Sequence, residues 1–166
     1  MKQMLLLATL MASSSPLYAE VSEVRIPGKN WGISFNMPTI SQYQGQASNN
    51  GFQYMAASKG IAGAPNTILS LFLENDSSSS NKECFESYWS KSKRNPIIST
   101  ASIKAASLQG YEQVYYKYSP GQPNANFYFV NQGYCIDVHV SLSASMSGEE
   151  EALLSIGESL KVITYK

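Results

Sequence analysis

The stretch that most constrains the fold is 133–142, in which apolar and polar side chains alternate. A period of two is typical of a β-strand with one face in the core. The apolar face would carry Tyr134, Ile136, Val138, Val140 and Leu142. The opposite face would carry Cys135, Asp137, His139 and Ser141, and His139 is the only histidine of the chain. The stretch therefore predicts both a wall of the core and a candidate chemical site.

Cys135, Asp137 and His139 have the composition of a thiol nucleophile site. Their spacing argues against that chemistry. Residues two apart on a strand lie about 6.6–7 Å apart, so a thiol at 135 and an imidazole at 139 would be separated by about 13 Å, beyond hydrogen-bond reach. Asp137 and His139 could pair, but a pair alone lacks a nucleophile. We therefore predict a half-buried polar face under a helix or loop, and no catalytic residue.

The N-terminal residues have the three parts of a secretory signal peptide. Lys2 supplies the positive charge, residues 4–12 form an apolar segment too short to span a bilayer, and Leu17-Tyr18-Ala19 is a small-residue cleavage site. The sequence thus predicts a signal peptide at 1–19, a single exported domain at 20–166, a periplasmic location and no transmembrane segment. A domain of this length buries roughly 68–70% of the surface of its unfolded chain, enough for one core.

The net charge of the chain and the spacing of its cysteines and histidine indicate which partners and cofactors to expect. Without Lys2, eleven basic residues face twelve acidic ones, so the exported chain has a net charge of about minus one and no clustered basic patch. Nucleic acid is then not an expected partner, because phosphate binding needs many aligned Lys or Arg side chains. One histidine and two cysteines without C-x-x-C spacing do not predict a zinc centre, and we predict no metal and no cofactor.

Cys84 and Cys135 are the only cysteines, and an even count in an exported protein indicates a disulfide, with two separate buried thiols as the alternative. The bridge would stabilise the fold by roughly 4 kcal/mol in the chain-entropy model. A capping box at Ser80 and Glu83 predicts a helix start just before Cys84. A helix with Phe85, Tyr88 and Trp89 beside Cys84 could lie on the polar face of 133–142 and reach Cys135.

The remaining segments indicate an α+β fold. Three strands at 110–118, 127–130 and 133–142 form a predicted antiparallel meander, and the run 67–73, apolar on both faces, predicts a central strand covered on both sides. Residues 41–51 are polar and predict a loop ending in a hairpin turn at Asn49-Asn50-Gly51. A second capping box, Ser147 with Glu150, predicts the last helix. We expect an antiparallel sheet of about six to eight strands with two main helices packed on it.

This pattern resembles the PsbP-like sandwich family, with its periplasmic DcrB-like branch as the nearer comparison. The resemblance would span nearly all of the chain after the signal peptide, and it rests on the segments "WGISFNMP", "CFESYWSKSK", "GYEQVYYKY", "FYFVNQGYCIDVHVSL" and "LLSIGESLKVI". It implies an α+β sandwich with a binding or assembly function. It supplies no active-site residues.

Tyrosine is abundant, with eleven residues in the chain. Most would form walls of the sheet, whereas solvent-facing tyrosines would make an adaptable surface for binding proteins. The candidate binding residues are Tyr43, Tyr115, Tyr118, Asp137 and His139. We therefore expect a non-enzymatic periplasmic protein that binds another protein, for example an immunity protein against a secreted toxin. The alternative is a small-ligand carrier or hydrolase-like enzyme with a pocket between sheet and helix near Asp137 and His139.

Overall fold

Ten strands and two helices make up the part of the chain that the computed structural model describes, residues 20–37, 40–48, 51–59, 65–119 and 121–166. The predicted signal peptide at 1–19 lies outside the described residues. The elements are β1 (Glu20–Arg25), β2 (Trp31–Met37), β3 (Ile40–Ser48), β4 (Gly51–Ser58), β5 (Thr67–Asn75), α1 (Asn81–Ser92), β6 (Ile98–Leu108), β7 (Tyr111–Tyr118), β8 (Gln122–Asn131), β9 (Tyr134–Leu142), α2 (Glu149–Glu158) and β10 (Lys161–Thr164).

The strands form two antiparallel sheets. The larger has seven strands in the order β3-β4-β5-β9-β8-β7-β6, and the smaller has three in the order β1-β2-β10. The β7-β8-β9 meander is confirmed, and the two helices packed on antiparallel sheets fit the predicted α+β class in outline, although the structure is mostly strand. The second sheet was not predicted. It forms because β10, near the C-terminal end, pairs with β2, which is far away in the sequence. The alternation of apolar and polar residues predicts that a segment is a strand, but it does not predict which distant strand it pairs with.

The main core lies on one face of the seven-stranded sheet. Trp31, Ile33 and Phe35 of β2 are fully buried against the apolar residues of β5, β8 and β9, and Leu153 and Ile156 of α2 complete the cluster. Alternation along β9 places the predicted apolar set in this core. The three-stranded sheet and α2 therefore cover one face of the larger sheet.

Helix α1 covers part of the opposite face. It begins at the Ser80 cap, whose hydroxyl accepts a hydrogen bond from the Glu83 backbone N–H as the capping box predicts, and the Glu83 carboxylate also accepts from the Ser79 N–H and hydroxyl. A disulfide joins Cys84 to Cys135, with 5.4 Å between their Cα atoms. Trp89 packs against β7 beside this bridge. The helix thus lies over the polar face of β9, as its apolar spacing predicted.

Two of the expected local structures are wrong. Residues 40–48 form strand β3, paired along its length with β4, so most of the predicted loop at 41–51 is a strand; Asn49 and Asn50 of the predicted turn lie outside the described residues. Strand pairing outweighed the polar composition and the glycine of this segment. The second capping box is absent, because the N-cap of α2 is Gly148, with a φ of 71° and no side chain to accept a hydrogen bond, and the carboxylate of Glu149 accepts from the Met146 N–H instead.

Strand β5 is central, but it is covered on one side only. Its residues Leu69, Leu71 and Leu73 are buried in the main core. The alternate residues Ile68, Ser70 and Phe72 face the α1 side and remain partly exposed. The predicted burial of both faces is therefore wrong, because α1 packs on β7, β8 and β9 and leaves this part of the sheet open.

Candidate functional site

A row of polar side chains lies beneath α1 on the two central strands β8 and β9. Asp137 of β9 accepts a hydrogen bond from the Asn126 amide nitrogen at 2.7 Å, and the Asn126 oxygen accepts one from the Tyr116 hydroxyl at 3.0 Å. His139 lies next along β9, with its Nε2 atom 2.9 Å from Asn124 Oδ1. An amide oxygen only accepts, so Nε2 is the ring nitrogen that carries a proton in this contact.

Asp137 has an unusual environment for a carboxylate. Burial raises its pKa from 3.8 to about 7, while the Asn126 hydrogen bond acts in the opposite direction. Tyr128 lies directly across on β8, fully buried, and its hydroxyl has no hydrogen-bond partner among the described residues. Burial and the nearby Asp137 both raise the pKa of Tyr128. The site therefore favours uncharged forms of both side chains.

His139 is held in its neutral form. Burial lowers its pKa from 6.5 to about 4, since a charged ring would lose hydration at this partly buried position. Asp137 and His139 are bound to different asparagines. Cys135 forms a disulfide with Cys84 and has no free thiol. The three residues considered as a nucleophile system thus have separate structural partners, and this arrangement positions no nucleophile.

The candidate tyrosines do not form a single surface. Tyr115 faces the α2 side and is buried, with its hydroxyl donating to Glu149 at 3.1 Å. Tyr118 is partly buried on the α1 side, with its ring edge-on to Tyr116. Tyr43 lies in β3 opposite Ala56, and its side chain is outside the described part of the structure. Of Tyr115 and Tyr118, only Tyr118 shares a face with Asp137 and His139.

A charged cluster at the start of α2 was not predicted. Glu149 forms an ion pair with Lys117, and Glu150 forms one with Lys104. Burial alone would raise the pKa of Glu149, but the Lys117 ion pair and the bonds from Met146 and Tyr115 hold it below its usual range. These residues line a cleft of about 350 Å³. Because each charge is paired, the cluster serves to hold α2 on β6 and β7.

The strands β3, β4 and β5 present an uncovered surface on the α1 side, since neither helix has its main packing on them. Residues directly opposite on paired strands share a face. Strand register therefore defines one row across the sheet, Gln46, Gln53, Phe72, Asp137 and Tyr128. The next row is Gln44, Met55, Ser70, His139 and Asn126. Both rows begin on the edge strand β3, which is exposed, and end at the polar residues of β9 and β8 beneath α1.

We call the exposed part of these rows the open face, defined by Gln44, Gln46, Gln53, Met55 and Phe72. The three glutamines are exposed, Met55 is 45% exposed, and Phe72 is partly exposed. A cleft of about 590 Å³ lies at one end, lined by Gln46, Gln53 and Phe72 among others. Sequence reasoning missed this surface because it assigned 41–51 to a loop. The alternation of Gln42, Gln44 and Gln46 is the signal that indicates a strand.

Other kinds of site have no support in the described residues. No group of three or more His, Cys, Asp or Glu side chains is arranged to hold a metal ion among them. Within the same ranges, no helix has both the length and the apolar character needed to cross a membrane.

Comparison with known proteins adds no family to this description: no family model matches the chain, and no curated protein matches it. The resemblance to the PsbP-like family stays a prediction.

Proposed function

We propose that this protein is an exported, non-enzymatic binding protein, and that its partner is another protein that docks on the open face. The observation that carries the proposal is a surface spread over three strands, in which Met55 and Phe72 lie among exposed glutamines and the charged residue Glu74 lines only the cleft at one end. Methionine and aromatic side chains are enriched at protein interfaces, and charged residues are depleted at their centres. The binding role that the PsbP-like resemblance implies is of the same kind.

Export is part of this proposal. It is supported by the sequence of residues 1–19 and by the disulfide between Cys84 and Cys135, a bond that persists in oxidising compartments. A periplasmic immunity protein that neutralises a secreted toxin is one concrete form of such a binding protein. An exported single domain whose residues Cys135, Asp137 and His139 are held by separate partners suits that role.

The alternative, a ligand carrier or hydrolase-like enzyme near Asp137 and His139, has weaker support. Tyr128, Trp89 and the disulfide pack in the space between α1 and the sheet and are buried there. A binding pocket is concave and lined by a few convergent polar groups. Here the polar groups of Asp137 and His139 are directed to asparagines of the neighbouring strand.

A capture experiment tests the proposed surface. The purified protein is immobilised, exposed to a periplasmic extract of the producing cell, and the retained proteins are identified by mass spectrometry. Met55→Arg should remove the specific partner, because it places a charge in the centre of the open face. Ser155→Arg on the exposed side of α2 is the matched control and should retain it. An unchanged set of retained proteins with Met55→Arg would contradict the proposal.

A further inference from the structure

The two sheets have four edge strands in the described part of the chain, and three of them carry features that prevent pairing with another chain. Edge strands are commonly protected by charges, short length or bulges. Strand β1 contains Glu20, Glu23 and Arg25, and β10 has four residues with Lys161 at its start. Strand β6 has an irregular register between Ser99 and Lys104. These three edges resist the addition of a strand.

Strand β3 has none of this protection over most of its length. It has nine residues without a charged residue or a proline. Its one register shift lies at the Ile40 end, and from Gln42 to Ser48 it pairs residue for residue with β4. Residues 44–47 are exposed, and the outward backbone groups of this edge have no strand partner in the described part of the chain. An edge of this kind is a template for a further strand.

We propose that β3 pairs antiparallel with β3 of a second copy of this chain, giving a two-fold dimer with one continuous sheet. An uncharged strand can lie beside its own copy without like-charge repulsion, and glutamine side chains both donate and accept hydrogen bonds. A two-fold contact uses the same patch on both copies and closes, so it removes the unprotected edge from each.

This dimer differs from the proposed docking of a partner on the open face. Antiparallel pairing within one sheet places the two-fold axis perpendicular to the sheet, so the two open faces lie on the same side. They would then form one surface across six strands, from β5 of one copy to β5 of the other.

Sedimentation velocity of the full chain, purified as the producing cell makes it, tests the dimer over a roughly hundredfold range of concentration. The mass should rise from one chain to two. The double variants Gln44→Lys/Gln46→Lys and Gln44→Glu/Gln46→Glu should each dimerise at least about tenfold more weakly, because like charges would face each other across the two-fold axis. Mixing the two variants should restore association.

Gln53→Lys is the control, since it adds the same charge on the same face but on β4, away from the edge. It should dimerise like the natural chain. Circular dichroism establishes that each variant is folded, and slower hydrogen exchange of the β3 amides at high concentration provides a measurement that needs no variant. A chain that stays monomeric overturns the proposal and leaves the edge to a strand from a different protein. A dimer that the Lys and Glu variants do not weaken also overturns it.

Discussion

The buried carboxyl group of Asp137 should make a contribution to stability that falls as the pH rises, and Asp137→Asn should remove that contribution. In the folded protein, burial raises the pKa of Asp137 to about 7, whereas its ordinary value is 3.8. Between these two values the folded state holds a proton that the unfolded state has released. Unfolding is therefore favoured by raising the pH through this window, the reverse of the behaviour of a salt-bridged aspartate.

The magnitude follows from the width of the window. Each pH unit changes the free energy of unfolding by about 1.4 kcal/mol for one proton, so the Asp137 contribution falls by about 4 kcal/mol between pH 4 and pH 7 and is constant above it. Asparagine has nearly the same shape and keeps an oxygen to accept from the Asn126 amide, but it has no charge. The measured quantity is the free energy of unfolding of Asp137→Asn minus that of the natural protein. This difference should be larger at pH 8 than at pH 4 by up to about 4 kcal/mol.

His139 has the opposite effect and must be separated from Asp137. Its folded pKa is lowered to about 4, so the unfolded state binds a proton first as the pH falls below 6.5, and stability is lost in that window. The histidine is present in both the natural protein and Asp137→Asn. Its contribution therefore cancels in the difference between their two pH profiles.

Urea denaturation at pH 4, 6 and 8 measures this difference, because the linear extrapolation gives a free energy of unfolding for each protein and pH. Ser141→Ala is a suitable control, since it changes a buried residue on the same strand face without removing a titratable group. Its profile should run parallel to that of the natural protein. If the difference between Asp137→Asn and the natural protein were the same at all three pH values, the argument that burial keeps Asp137 neutral would be refuted.

Two further predictions concern the packing of the helices. The double variant of Cys84→Ala and Cys135→Ala should lose about 4 kcal/mol of stability, because the bridge closes a sequence separation of 51 residues; a midpoint of urea denaturation close to that of the oxidised protein would contradict this. Gly157→Ala should cost about 1–3 kcal/mol in the same assay, since the added methyl group overlaps the ring of Phe127. Ser155→Ala, on the exposed side of the same helix, should change stability little.

The sequence predicted the elements whose evidence is local. The alternation at 133–142 identified β9, and the apolar residues at helical spacing after Ser80 identified the face of α1. It also offered a single cysteine pair, and the structure joins that pair. Strand β3 was missed because its segment is polar and contains a glycine, and its conformation depends on pairing with β4.

The sequence predicted which residues of β9 form the candidate site, but it did not predict their hydrogen-bond partners or their burial. Asp137 and His139 were assigned to a polar strand face from their positions alone. Their partners Asn126 and Asn124 are on β8, and no spacing within 133–142 indicates them. The unpartnered hydroxyl of Tyr128 and the open face likewise depend on strand register across the sheet.

The sequence by itself determined the alternation of strand β9, the start of helix α1 and the one possible pairing of the two cysteines, because these properties can be recognised from the residues along the chain. Only the tertiary structure decided what covers each face of the sheet. By packing α1 on β7, β8 and β9, it buried Asp137 and left β3, β4 and β5 open. The physical reason is that burial, and with it the pKa of a carboxyl group or the exposure of a strand, is set by contacts between residues far apart in sequence.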